Sequence, residues 1–176
     1  MENKPQIDSL ASNIKLLVLD VDGILSDGKL YFTNSGEEIK AFNTMDGLGL
    51  KLLMQAGIEV ALITGRKSEI VNTRARNLGI RHVFQGSDDK VGILDELVKK
   101  LGMDYSSVAY AGDDLPDLAC IKKAQLGITV PNGHFLLKES ADAVTTREGG
   151  QGAVREICDW ILQAQGKFDD AVRPFL

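Results

Sequence analysis

Cysteine is scarce in this chain: Cys120 and Cys158 are the two among 176 residues, and no hydrophobic stretch of secretory type is evident. A disulfide framework is therefore not expected, and a reducing, cytoplasmic setting is. Neither cysteine has metal-ligand spacing to the other or to His82 or His134, which sets aside a Cys/His zinc site. Long apolar runs are also missing. The best candidates are strand-sized, such as Ile14 to Leu19 interrupted by Lys15, far short of the roughly 18 to 20 residues that cross a bilayer, so no membrane partner is expected. Positive charge is in deficit too, with 20 Lys plus Arg against 25 Asp plus Glu and a formal charge of -5. A polyanion is held mainly by accumulated positive charge, so a nucleic-acid partner is not expected. A small anionic metabolite stays compatible, because Arg66, Lys90 and a divalent cation outweigh a modest global charge at short range.

What is present is enough chain for one sizeable core, burying roughly 70% of the unfolded surface without covalent staples. Residues 1–13 lack a strong period and read as a lead with one short helical turn at most. Ile14-Lys15-Leu16-Leu17-Val18-Leu19-Asp20 is a branched apolar run ending in a carboxylate, the pattern of a central strand that delivers a side chain to its carboxyl edge. Residues 29–42 read as a β-hairpin turning at Asn34-Ser35-Gly36 and placed as a flap over the sheet end. Strands at 58–63, 80–84, 107–111, 126–130 and 143–144 then alternate with helices at 46–55, 68–78, 90–101, 115–124, 134–140 and 153–165. Gly149 to Gly152 reads as a flexible joint, and residues 166–176 as a tail. Strand-helix alternation of this kind predicts right-handed βαβ crossovers. The expected fold is α/β, a three-layer Rossmann-like parallel sheet with a small hairpin flap and no large cap domain, its domain covering 14–165.

Four polar stations fall at equivalent strand ends. Asp20-Val21-Asp22-Gly23 puts two carboxylates at i and i+2, with a glycine that allows an immediate turn; taken alone, it reads equally as a solvated turn. Thr64-Gly65-Arg66 offers a hydroxyl and loop N–H groups for phosphoryl oxygens, although a threonine there also serves as a helix cap. Lys90 stands at a helix start, where the dipole disfavours a cation unless solvent or an anion is near. Gly112-Asp113-Asp114-Leu115-Pro116-Asp117 gathers three acids that repel one another unless a cation, a lysine or water relieves them. Asp113 is the better metal-ligand candidate, and Asp117 suits a helix start as well.

The order Asp20-x-Asp22-Gly23, Thr64-Gly65-Arg66, Lys90, Gly112-Asp113-Asp114-x-x-Asp117 resembles the signature motifs of the haloacid dehalogenase superfamily of phosphatases. Gly36-Glu37-Glu38-Ile39-Lys40-Ala41-Phe42-Asn43, Ala61-Leu62-Ile63-Thr64-Gly65-Arg66-Lys67 and Gly149-Gly150-Gln151-Gly152-Ala153-Val154-Arg155-Glu156 narrow the likeness. They point to its compact members in lipopolysaccharide sugar synthesis, over about Ile14 to Lys167. That resemblance implies hydrolysis of an eight-carbon keto-sugar acid phosphate, with a nine-carbon homologue as the alternative. It makes Asp20 the nucleophile and Asp22 the proton carrier, the latter expected to need a neighbouring carboxylate or burial that raises its pKa. Mg2+ is implied on Asp20, the Asp22 carbonyl and Asp113. Phosphate would meet Gly23, Thr64, Gly65 and Lys90, and the substrate carboxylate Arg66, while Asp117 and, more weakly, Asp114 would orient Lys90 or metal waters. The resemblance further implies a homotetramer with packed hairpins (Tyr31, Phe32, Ile39), and Arg173 and Phe175 as lid residues over a neighbour's site. It departs at Met45, where the pattern carries arginine, which removes one anion contact. Two other classes share the ingredients: a signalling receiver phosphorylated on a strand-end aspartate, and a silent assembly domain. The Asp20/Asp22 pair favours hydrolysis over the first, and the presence of all the ingredients at spaced loops speaks against the second.

Overall fold

The computed structural model describes residues 4–176. Six parallel strands form one sheet: β1 (Leu16–Leu19), β4 (Glu59–Thr64), β5 (His82–Gln85), β6 (Val108–Ala111), β7 (Leu126–Thr129) and β8 (Ala143–Val144). Their order across the sheet is β5-β4-β1-β6-β7-β8. Between β1 and β4 in the chain, β2 (Tyr31–Phe32) and β3 (Glu38–Ile39) make a separate antiparallel pair. Strand β1 is central, with Leu16 opposite Glu59 on one side and Val108 on the other.

Every residue of β1 is buried because the sheet is covered on both faces. Leu17, Leu19, Val60, Leu62, Ala109 and Ala111 point to one face. It is covered by α2 (Thr44–Gln55), α3 (Glu69–Leu78) and α7 (Ala153–Ala164). Leu16, Val18, Ala61, Ile63, Val108 and Tyr110 point to the other, under α4 (Lys90–Lys100), α5 (Leu118–Lys123) and α6 (Phe135–Ser140). This is the three-layer α/β arrangement that the alternating pattern predicts. In α7, Val154, Ile157, Ile161 and Leu162 recur at helical spacing and are fully buried. Each such side chain contributes about 1.5–3 kcal/mol on burial, and Ile157→Ala would open a cavity against the sheet.

Three expectations need correction. Residues 4–11 of the lead form a helix, α1 (Lys4–Ala11), which buries Ile7 and Ala11 against the α7 side of the core; residues 1–3 lie outside the described part. The tail is also folded: α8 (Phe168–Val172) packs Phe168 and Ala171 on that core, and a 3-10 turn, Arg173–Phe175, ends the chain. Both segments are short, with one or two apolar anchors each, so their period is hard to see in sequence. Finally, Gly149 to Gly152 is no loose joint. Gly149 is buried, a Cβ there would lie 1.7 Å from the Gly23 carbonyl oxygen, and Gly150 N–H donates to Ile24 O at 2.9 Å. These glycines serve close backbone approach to the first site loop rather than flexibility.

Candidate active site

The carboxyl edge of the sheet gathers the polar stations. Asp20 follows β1 directly, Thr64 ends β4, Asp113 stands two residues past β6, and Lys90 opens α4. Helix α4 begins there because Asp89 caps it, its Oδ1 accepting Gly92 N–H at 2.8 Å. A cleft of about 650 Å3 lies at this edge, lined by Asp20, Asp22, Gly28, Leu30, Thr64, Gly65, Arg66, Ser87, Asp88, Lys90, Asp113, Asp114, Pro116 and Asp117.

Lys90 is the electrostatic hub. Its side chain is 5% exposed, and its ammonium donates to Asp20 Oδ1 at 2.9 Å and to Asp117 Oδ1 at 2.7 Å. Burial alone would lower its pKa, but Asp20 and Asp117 together outweigh that and raise it. The anion that a lysine at a helix start requires is thus a pair of buried aspartates. Tyr110, fully buried in β6, donates its hydroxyl to the same Asp117 oxygen at 2.6 Å. Burial, then the Asp117 charge, keeps that phenol protonated, so it remains a donor.

Asp113 is brought in by a rigid loop. Its carbonyl accepts His134 N–H at 2.8 Å, and the preceding Gly112 carbonyl accepts the Thr129 hydroxyl at 2.8 Å. Gly23, at φ +96°, makes room for it, since a Cβ at Gly23 would fall 2.0 Å from Asp113 Oδ2. Among the described residues, Asp20, Asp113 and Asp117 each place a carboxylate oxygen within 4.8 Å of the others. Burial, then the Asp20, Asp117 and Asp114 charges, pushes Asp113 up to about 7. Burial, then Asp117, pushes Asp20 up to about 6 against the opposing pull of Lys90. One lysine does not balance three clustered carboxylates, and a hard divalent cation on these oxygens would. The donor set therefore fits such an ion.

Of the two surroundings expected for Asp22, the structure has the partial burial, its side chain being 18% exposed, and not the neighbouring carboxylate. Two cations stand beside it instead: Lys40 Nζ bonds Asp22 Oδ1, and Arg66 Nε lies 3.5 Å from Oδ2. Asp114 turns away from Lys90 to cap the next turn, its Oδ1 accepting Leu115 N–H at 2.8 Å. Thr64 is buried at the cleft wall, whereas the Arg66 side chain is 44% exposed. Met45 lies outside the cleft, its sulfur 3.9 Å from Arg147 Nη1. Sequence reasoning missed Lys40, Glu38 and Tyr110. Lys40 and Glu38 share the polar side of the hairpin alternation, and Tyr110 is a hydroxyl inside an otherwise apolar strand three residues before Asp113.

Residues 69–157 match the model of the haloacid dehalogenase-like hydrolases. The chain is 49% identical to the 3-deoxy-D-manno-octulosonate 8-phosphate phosphatase of Salmonella typhimurium over 167 residues, 95% of this chain and 89% of that one. Against the same enzyme of Escherichia coli K12 it is 50% identical over 161 residues, 92% and 86% of the two chains. The chain belongs to this phosphatase family of haloacid dehalogenase-like hydrolases. A crystal structure of the family member from Moraxella catarrhalis, in complex with a magnesium ion, a phosphate ion and a KDO molecule, superposes with a TM-score of 0.96 at 50% identity, covering all of both chains. Membership of the haloacid dehalogenase-like phosphatases accounts for the acidic strand-end cluster, since phosphoryl transfer to a carboxylate needs charge neutralisation where the phosphate sits.

Proposed function

We propose that this phosphatase converts 3-deoxy-D-manno-octulosonate 8-phosphate to 3-deoxy-D-manno-octulosonate and inorganic phosphate, with magnesium and an Asp20 phosphoenzyme. The observation that carries the reading is the meeting of Asp20, Asp113 and the Lys90–Asp117 pair in one cleft, in a chain half identical to enzymes named for that ester. Asp20, the Asp22 carbonyl and Asp113 would hold the magnesium, which supplies Lewis-acid charge neutralisation to the phosphoryl group.

The protein's own groups then divide the work. An Asp20 oxygen attacks phosphorus in line, the bond from phosphorus to the sugar oxygen breaks, and Asp22 delivers a proton to that oxygen. Asp22 next takes a proton from water, whose oxygen attacks phosphorus and restores Asp20 as phosphate leaves. Thr64 with the Gly23 and Gly65 backbone receives phosphoryl oxygens, and Lys90, held by Asp117, offsets their charge. Arg66 is the candidate for the substrate carboxylate, which a guanidinium binds through two donors. Met45 stands outside the cleft lining of the single chain and is 41% exposed; its departure from the family pattern removes one anion contact, which makes the comparison of eight- and nine-carbon esters the deciding measurement.

The same reading extends to assembly. Leu30, Tyr31, Phe32 and Ile39 of the hairpin are 44–58% exposed, an apolar flap suited to packing with copies in a homotetramer, and the setting is the cytoplasm. Sedimentation would report the subunit number. Phosphate release from a panel holding the eight-carbon 8-phosphate and a nine-carbon ulosonate 9-phosphate, with magnesium and with chelator, tests the activity. The highest kcat/KM is expected on the eight-carbon ester, and strong preference for the nine-carbon one would overturn the assignment. Asp20→Asn is expected to abolish phosphoenzyme and lower turnover at least about 10⁴-fold; a normal phosphoenzyme burst in that variant would sink the nucleophile.

A further inference from the structure

Two lysines serve three aspartates at this edge, Lys90 pairing with Asp20 and Asp117 and Lys40 with Asp22, and only Lys90 has a place in the scheme above. Lys40 follows β3 in the hairpin and does not line the cleft; it stands behind Asp22. Its side chain is 1% exposed, and an ammonium that deeply withdrawn from water must be paired. Its partners are Asp22 Oδ1 and, at 3.3 Å, Glu38 Oε1. Glu38 Oε1 also accepts Arg66 Nη2–H at 2.9 Å, and Glu38 Oε2 accepts the Ser68 hydroxyl at 2.7 Å. The Ser68 hydrogen bond foremost, with help from Arg66 and Lys40 and against burial, keeps the Glu38 carboxyl below its usual range. Arg66 Nε returns to Asp22 Oδ2 at 3.5 Å. The ring Asp22, Lys40, Glu38, Arg66 is therefore closed, and it joins the loop after β1, the hairpin and the loop after β4.

We propose that Glu38 and Lys40 are positioning residues for the reaction: the hairpin's ion-pair ring fixes where the Asp22 carboxyl group sits, so that it meets the leaving oxygen when it carries the proton, and holds Arg66 at the cleft wall. A proton donor works only within about 2.6–3.2 Å of its target, and Asp22 sits on a turn whose side chain would otherwise rotate freely. With both oxygens faced by cations and Ser26 Oγ 3.3 Å from Oδ1, that rotation is removed. Glu38 neutralises the excess cation and ties the guanidinium to the same frame, so the hairpin contributes to catalysis as well as to cover.

The proposal rests on the reading of Asp22 as the proton carrier, and leaving-group chemistry tests it. A sugar alkoxide needs a proton to depart, whereas the nitrophenolate of p-nitrophenyl phosphate does not. The parameter to compare is kcat/KM, which reports steps through phosphoryl transfer to Asp20. Lys40→Met is expected to lower kcat/KM on 3-deoxy-D-manno-octulosonate 8-phosphate by about tenfold or more while lowering it less than about threefold on the nitrophenyl ester. Glu38→Gln, which keeps the shape and removes the charge, is expected to show the same discrimination and a raised KM for the sugar ester alone. Equal losses on both esters, or no loss on either, in variants whose melting shows them folded, would overturn it. Should Lys40→Met not fold, Glu38→Gln decides alone, and absence of discrimination there refutes the proposal. Failure of the underlying reading looks different: Asp22→Asn would then lose no more kcat/KM on the sugar ester than on the nitrophenyl ester, whatever the Lys40 and Glu38 variants do.

Discussion

Replacing Lys90 by methionine removes one charge at nearly constant volume from the most crowded part of the site. Lys90 is 5% exposed and bonds Asp20 and Asp117, which are 6% and 1% exposed. Its loss leaves two buried carboxylates with no cation in the metal-free protein. Breaking a buried ion pair from one side costs about 3–5 kcal/mol. At roughly 2–4 °C per kcal/mol for a domain of this size, metal-free Lys90→Met should melt roughly 6–20 °C below the unmodified protein. The pH dependence carries the sharper test. Asp20 already titrates high, at about 6, and losing Lys90 removes a group that lowers it, so the variant escapes part of the cost by protonation in acid. Lys90 itself titrates above its usual value, so its contribution is present throughout neutral pH and its loss is felt there. The melting gap should therefore widen as pH rises from about 5 to about 8. Asp117→Asn in the Lys90→Met background should recover a large share of the loss, because the neutral amide needs no cation and its oxygen can still accept from Tyr110. Calorimetry on metal-free protein measures all three. A gap that narrows toward alkaline pH, or a double variant no better than the single, would refute the argument that Lys90 neutralises this pair.

Other outcomes follow from the same geometry. Asp20 and Asp113 titrate at about 6 and about 7, both above the ordinary 3.8, so the folded metal-free protein holds more protons than the unfolded chain between about 4 and 7. Its stability should fall as pH rises through that window, and added divalent metal should reverse the fall while releasing protons. Isothermal titration in buffers of different ionisation enthalpy would count them, with apparent affinity weakening as pH drops through 7 toward 6; pH-independent affinity would contradict the burial argument. Gly23→Ala forces a side chain into a positive φ and against Asp113. It should cost about 1–3 kcal/mol in stability and weaken metal binding, seen by denaturant melts and by metal titration.

Much of this molecule is legible in one dimension. The run from Ile14 to Asp20 announces a strand and its carboxylate, because a strand covered on both faces is apolar throughout and stops where solvent begins. Asp113 and Lys90 reveal themselves by position at strand and helix ends. What stays hidden depends on how separate pieces meet. That Lys40 reaches Asp22 rather than solvent is set by the tilt of a hairpin with two residues per strand, and no local period encodes it. Asp114 and Asp117 are ranked only by resemblance in sequence; that one caps a turn and the other anchors Lys90 is set by where the 3-10 turn at Leu115–Asp117 points them. The helices α1 and α8 escaped notice because they owe their helicity to docking on the core more than to their own residues.

The backbone clasp between Gly149–Gly150 and Gly23–Ile24 has a consequence for biosynthesis. The loop bearing the nucleophile emerges early during translation, yet the segment that braces it is made only shortly before the closing helix. A chain that stops short of Gly149 therefore lacks the support for its own reactive aspartate, and catalytic competence waits for that segment to be made.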